Sequence, residues 1–277
     1  MFLCAQSRSR KGEEMKLRIE ACVISDIGKV RQSNQDNFVF SESIHELSIN
    51  KSRFDEYIVD EKTSLFTTGV FDGMGGESHG DIASHIAATK YREFEFKKLR
   101  KLVEPLEIVE ELQEYYKKAN QAICNECRTK KSRMGTTASI LVLTESDAII
   151  SNIGDSRIYR LREEKLSLLT KDHTENMILV ANNIKILNKK GRLTQYLGIF
   201  EDEYIIEPYI NVLHINDADV FLICSDGVTD MLSDEEIELF INTGTNIRET
   251  TEQIVESALE KGGVDNITAI LCSVSYQ

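Results

Sequence analysis

Between residues 137 and 162, three apolar, strand-like runs (137–144, 147–153 and 156–162) are separated only by Glu145-Ser146 and Gly154-Asp155. Links that short cannot hold a helical crossover, so they predict antiparallel hairpins. Leu17, Ile19, Ala21 and Val23 alternate with polar neighbours, and further strands are predicted at 65–71, 219–225 and 267–274. From 80 to 130 the period lengthens: Ile82, Ala83, Ile86 and Ala87, then Val109, Leu112, Tyr116, Ala119 and Ile123, recur every three or four residues. That spacing predicts two long amphipathic helices. Ser233 and Glu236 have the spacing of a capping box ahead of Ile237, Leu239 and Phe240, and Ile254, Val255, Ala258 and Leu259 predict a last helix stopped near Gly262. Strands, a helix pair, strands, helices and a final strand give an α+β fold in which helices cover antiparallel sheets. Residues 41–63 and 174–196 are polar and weakly periodic, and are expected to form surface excursions.

The 277 residues contain no Pro- or Gly-rich linker, so a single domain over 16–277 is expected, preceded by a disordered extension at 1–15. Thirty-three basic residues against 46 acidic ones give a formal charge of −13, which disfavours nucleic acid and anionic membranes as partners. No apolar run approaches the roughly 18 residues of a membrane helix. The short apolar stretch near the amino terminus precedes its basic cluster, the reverse of a signal peptide. A soluble cytoplasmic protein is expected. Cys22, Cys224 and Cys272 lie in strand-like runs and read as reduced core thiols. Cys124 and Cys127 form a C-x-x-C late in a helical pattern, with no second pair and no redox context. Without coiled-coil heptads, a monomer is expected.

The chemistry gathers in four acidic segments: Gln35-Asp36, Phe71-Asp72-Gly73-Met74-Gly75-Gly76, Cys224-Ser225-Asp226-Gly227 and Gly262-Gly263-Val264-Asp265-Asn266. Each aspartate ends an apolar run or stands beside glycine, where a carboxylate can leave a sheet and a backbone carbonyl is uncovered. Oxygen donors in such numbers suit Mg²⁺ or Mn²⁺. A single Asp-Gly is usually only a turn, so the weight rests on their combination. Arg31, four residues before Gln35, offers a planar fork for two phosphate oxygens.

In order, Ser25-Asp26-Ile27-Gly28 with Arg31 and Asn34-Gln35-Asp36, Phe71 to Gly76 with Gly80, Ala83 and Ser84, and Met134 to Ala138 lead the pattern. Ile153 to Arg157, Leu169-Thr170 with Asp172-His173, Cys224 to Gly227 with Asp230, and Gly263 with Asp265 to Thr268 complete it. Over roughly residues 17–275 this resembles the metal-dependent protein serine/threonine phosphatases of type 2C, in the bacterial style. The resemblance implies a four-layer α/β/β/α sandwich with a dinuclear Mn²⁺ or Mg²⁺ centre between two stacked antiparallel sheets. It implies hydrolysis of phosphoserine and phosphothreonine in proteins by a metal-bridging hydroxide, reversing a Ser/Thr protein kinase. Asp72 would then bridge the metals, Asp226 and Asp265 complete the first, and the Gly73 carbonyl the second. Asp36 would hold metal-bound water, Arg31 would bind the phosphoryl group, and Asp155 with Asp226 would form a weaker third-metal site. Residues 173–197 would be the flap beside the site.

Two positions depart from members of that family. Gln35 stands where many carry glutamate, which removes a charge and is expected to weaken the second metal. Met74 stands where some eukaryotic members place a histidine that protonates the leaving oxygen; metal-bound water or His79 is then the candidate donor. No cysteine is followed by a phosphate cradle, which excludes a cysteine-nucleophile phosphatase. A catalytically silent phosphoprotein-binding relative is the competing reading, and loss of metal-bearing aspartates would mark it.

Overall fold

The computed structural model describes residues 17–40, 43–44, 53–74, 79–102, 104–181 and 191–277. The extension expected at 1–15 and the Gly75-Gly76 pair lie outside them. Among the described residues the chain opens with β1 (Leu17–Asp26), β2 (Asp36–Phe40), β3 (Ser43–Ile44), β4 (Arg53–Thr63) and β5 (Leu65–Met74). Helices α1 (Gly80–Lys97) and α2 (Pro105–Lys130) follow, then β6 (Gly135–Thr136), β7 (Ala138–Thr144), β8 (Asp147–Ile153), β9 (Arg157–Arg162) and β10 (Lys165–Leu168). The remainder is α3 (Glu175–Ala181), β11 (Tyr209–His214), β12 (Val220–Cys224), α4 (Asp226–Thr229), α5 (Asp234–Thr243), α6 (Ile247–Glu260) and β13 (Ile267–Tyr276).

One sheet runs β10-β9-β12-β13-β1-β4 and the other β11-β8-β7-β5-β2-β3, with β6 pairing β5. Side-chain alternation decides what each face covers. Leu17, Ile19, Ala21 and Val23 of β1 enter an apolar layer between the sheets with Phe38, Val70, Leu141 and Ile270. Cys22 and Ile24, on the other face of β1, pack with Ile254, Val255 and Ala258 of α6 and Ile237 of α5. On the far side, Tyr91 of α1 and Tyr115, Tyr116 and Ile123 of α2 cover Phe71, Ile140 and Ile149. Three apolar layers separate four structural ones, and the expected α/β/β/α sandwich stands. The buried Tyr116 hydroxyl donates to Ser151 Oγ at 3.0 Å, so the ring enters this core without a stranded polar group.

Both long helices form as the periodicity predicts. Ser233 Oγ accepts from the Glu236 N–H while Glu236 returns a carboxylate to the Ser233 N–H, completing the capping box of α5.

The hairpin expected across Gly154-Asp155 is corrected. β8 and β9 belong to different sheets, and Gly154 turns the chain between layers at φ +104°. Only β7 and β8 form the expected hairpin. The excursion expected at 41–63 is also corrected, because residues 53–63 are β4, paired along β1 at the edge of its sheet. All five described cysteines are buried thiols. Among the described residues no helix is long and apolar enough to cross a membrane.

Candidate active site

Asp72 of β5 and Asp36 of β2 are antiparallel partners, so two carboxylates share one sheet end, an unfavourable pairing unless something offsets it. The backbone of Asp72 is fixed on both sides. Its N–H donates to Thr137 Oγ1 at 2.9 Å, and its carbonyl accepts from the Thr137 N–H at 2.8 Å and from Thr136 Oγ1 at 2.9 Å. Asp226 opens the short helix α4 from the opposite sheet, Asp265 sits in the turn before β13, and Asp155 rides on the crossover between the sheets. A cavity of about 380 Å³ is lined by Asp72, Asp155, Asp226 and Asp265 together with Arg31, Gln35, Gly73, Met74, Thr137, Gly191 and Leu193.

Asp36 does not line this cavity. It is buried behind it, where Oδ2 accepts from Ser225 Oγ at 2.7 Å and Thr268 Oγ1 at 2.7 Å. Ser25 Oγ lies 2.9 Å from Thr268 Oγ1, and Asn34 Nδ2 donates to Ser25 at 3.0 Å. One carboxylate of the second sheet is thereby joined to hydroxyls of the first, beneath the floor of the site.

Asn266 is the other tie. Its amide donates to the carbonyls of Ile27 at 2.9 Å and Ser33 at 3.0 Å, and its Oδ1 accepts from the Gln35 N–H at 2.8 Å. The loop bearing Arg31 and the turn bearing Asp265 are held together by one side chain. His173 does the same for Asp155. Its ring Nδ1 accepts from the Gly154 N–H at 3.1 Å, its backbone N–H donates to the Gly154 carbonyl at 2.9 Å, and burial keeps the imidazole pKa below its usual value. Asn266 and His173 belong to recognisable motifs, but nothing local in the sequence reveals these holding roles.

Burial, then the charges of Asp226, Asp36, Asp155 and Asp265, raises the Asp72 pKa well above the usual carboxylate range. Burial also pushes Asp36 up to about 7, against the donation of Ser225 and Thr268. Arg31 answers part of this charge: its Nη2 donates to Asp265 Oδ2 at 2.7 Å, and that bond, with the neighbouring carboxylates, raises the guanidinium pKa further. The donor set fits a hard divalent cation, being oxygen throughout and strained by mutual repulsion that positive charge relieves. Among the described residues no group of three His, Cys, Asp or Glu side chains is already drawn together as a cage for one metal ion. His79, at the start of α1, does not line the cavity, and its Nδ1 lies 3.3 Å from Ser132 Oγ.

The described ends of the 173–197 excursion are joined at their base. Thr174 and Leu193 form an antiparallel bridge, the Thr194 N–H donates to the His173 carbonyl at 2.8 Å, and Gly191 and Leu193 reach the cavity wall.

Known proteins share this architecture. The protein phosphatase 2C family model matches residues 46–271. Protein phosphatase PhpP of Streptococcus pneumoniae serotype 2 is 30% identical over 270 residues, covering 94% of this chain and 99% of that protein. The S. agalactiae serine/threonine phosphatase structure superposes with a TM-score of 0.78 at 26% identity, covering 92% of this chain and 98% of its own. The catalytic domain of serine threonine protein phosphatase PstP in complex with 2 manganese ions has the same fold, with a TM-score of 0.75 at 24% identity over 94% of this chain and 100% of its own. With the family model matching most of its length and the aspartates gathered at one cavity, the chain belongs to the protein phosphatase 2C family.

Proposed function

We propose that this protein hydrolyses phosphoserine and phosphothreonine esters in proteins with Mn²⁺ or Mg²⁺. It would act as a cytoplasmic monomer opposing a Ser/Thr protein kinase. The observation that carries this reading is the convergence of Asp72, Asp155, Asp226 and Asp265 with Arg31 on one cavity. The two manganese ions of the PstP structure support the choice of cofactor. Residues 16–277 are read as one phosphatase domain with 173–197 as its flap.

Asp72 would be shared by two ions, with Asp226 and Asp265 completing the first and the Gly73 carbonyl, beside Gln35, the second; Asp155 and Asp226 would hold a weaker third. Bound there, the cations supply Lewis acidity that lowers the pKa of water and offsets phosphoryl charge. Arg31 leaves Asp265 to grip two phosphoryl oxygens with its fork, which orients the phosphorus toward the aspartates. Water adds to phosphorus, the P–O bond to the serine or threonine oxygen breaks, and that oxygen takes up a proton. Met74 lines the cavity but has no proton to give. Asp36 acts through Ser225 and Thr268, holding the two sheets in register beneath the site. Thr136 and Thr137 hold Asp72 in place from the backbone side.

Turnover of a phosphothreonine peptide is expected in Mn²⁺ and is expected to vanish in chelator. Hydrolysis indifferent to chelator, or none in excess Mn²⁺, defeats the reading. Gln35→Glu adds a charge to the cavity wall and is expected to lower the Mn²⁺ dissociation constant of the second ion by roughly threefold to tenfold. Titration calorimetry reads this directly, and an unchanged second constant removes Gln35 from the metal's surroundings.

A further inference from the structure

Met74 is a wall between two hollows. On one side is the aspartate cavity, and on the other a cleft of about 200 Å³ lined by Met74, Arg133, Met134, Gly135, Tyr196 and Gly198. We propose that this cleft receives an apolar side chain of the substrate protein, one or two residues away from the phosphorylated serine or threonine. The proposal rests on the phosphatase reading above and names which substrates it favours.

Three observations select that occupant. First, the cleft adjoins the aspartate cavity, the two sharing Met74 as a lining residue, and an extended peptide advances at most about 3.6 Å per residue. A residue close to the phosphorylated one therefore falls beside Met74. Second, the walls are two thioethers, the ring of Tyr196 and bare glycine backbone, which suits a branched or aromatic side chain because thioethers adapt to irregular apolar shapes. Glycine is needed at 135, since a Cβ there would stand 2.6 Å from Tyr196 Cδ2. Third, the cation on the rim is already matched. Arg133 Nη1 donates to Glu203 Oε2 at 2.9 Å, Nη2 donates to Oε1, and the guanidinium lies 4.4 Å over the Phe200 ring. An acidic flanking residue would have to displace Glu203, whereas an apolar one displaces only water.

The cleft is also built before any substrate arrives. Thr136 and Leu197 exchange backbone hydrogen bonds of 2.9 Å each way, Asn120 accepts from the Gly198 N–H at 2.7 Å and donates to the Ile199 carbonyl at 2.9 Å, and the Cys127 thiol donates to the Met134 carbonyl at 3.5 Å. Both walls are fixed to α2. The C-x-x-C thus serves as part of a clamp, its Cys124 thiol donating to the Ile199 carbonyl at 3.3 Å.

The test compares phosphothreonine peptides carrying leucine, serine or aspartate at each of the two positions before and after the phosphoresidue, with kcat/KM measured in saturating Mn²⁺. The natural protein is expected to prefer leucine over serine at one of these positions by roughly tenfold, the discrimination available to one partly buried side chain. In Tyr196→Ala that ratio is expected to fall to about one, and in Tyr196→Phe to survive. Turnover of all peptides with a flat ratio overturns the cleft assignment and leaves the phosphatase reading intact. A preference for aspartate, or a leucine preference unchanged in Tyr196→Ala, overturns it as well. Absence of turnover with every peptide overturns both.

Discussion

Asp72→Asn is expected to be inactive and yet, in chelator at pH 8, more stable than the natural protein. Loss of the carboxylate that would be shared by two cations should lower turnover by at least about a thousandfold, since positioning and charge are removed together. The stability gain follows from the same carboxylate without its cations. Burial and four neighbouring aspartates raise the Asp72 pKa, and burial brings Asp36 to about 7 from an ordinary 3.8. A carboxyl with a raised native pKa keeps a proton that the unfolded chain has already released. The native state then binds more protons, and stability falls as pH climbs from about 4 through 7. At Asp36 alone the cost above that window is on the order of a few kcal/mol. A neutral amide in place of the Asp72 carboxylate removes that group's own share, its repulsion with Asp36 included. Urea unfolding at pH 5.5 and pH 8 should show a smaller decline for Asp72→Asn in chelator, and Mn²⁺ should reverse the ranking by stabilising only the natural protein. Equal stability of the two at pH 8 without metal would show that the aspartates are not strained against one another.

Gly227→Ala is the second large effect, and here the cause is contact between backbones. A Cβ at 227 would lie 2.0 Å from the Asn266 carbonyl oxygen and 2.9 Å from its carbon. Asn266 cannot easily retreat, because its side chain is bonded to Ile27, Ser33 and Gln35. The methyl group must force α4 away from β13, which separates Asp226 from Asp265. Overpacking of this kind costs about 3 kcal/mol, and a displacement of about 1 Å at reacting groups costs about a hundredfold in rate. Both losses should be visible together, in the urea midpoint and in kcat/KM on p-nitrophenyl phosphate. Natural values for both would mean that the two elements are not held as closely as their backbones indicate.

The strands and helices with one clean face were legible because periodicity records burial. Leu17 to Val23 alternates and turns out to line the layer between the sheets; Val109 to Ile123 repeats at helical spacing and packs on Ile140 and Ile149. β4 escaped because it is an edge strand whose inward residues Phe54 and Ile58 are surrounded by charge, with Tyr57 and Val59 left in solvent. The crossover after β8 escaped because a period of two says nothing about which sheet the next strand joins. Asp72, Asp226 and Asp265 were picked out by their glycine and strand-end settings and Asp155 only through the family resemblance, and all four share one cavity. Asp36 looked the same in sequence, but its nearest partners, Ser225 and Thr268, lie 189 and 232 residues away and draw it below the floor. Chemistry of a side chain is written locally; its depth is decided by distant segments.

The three-residue passage Gly154-Asp155-Ser156 between β8 and β9 has one more consequence. It is a short tie between the halves of the sandwich, and it carries a carboxylate into the aspartate cavity. Slippage of one half over the other would therefore be felt at Asp155, where a carboxylate faces the aspartate cavity.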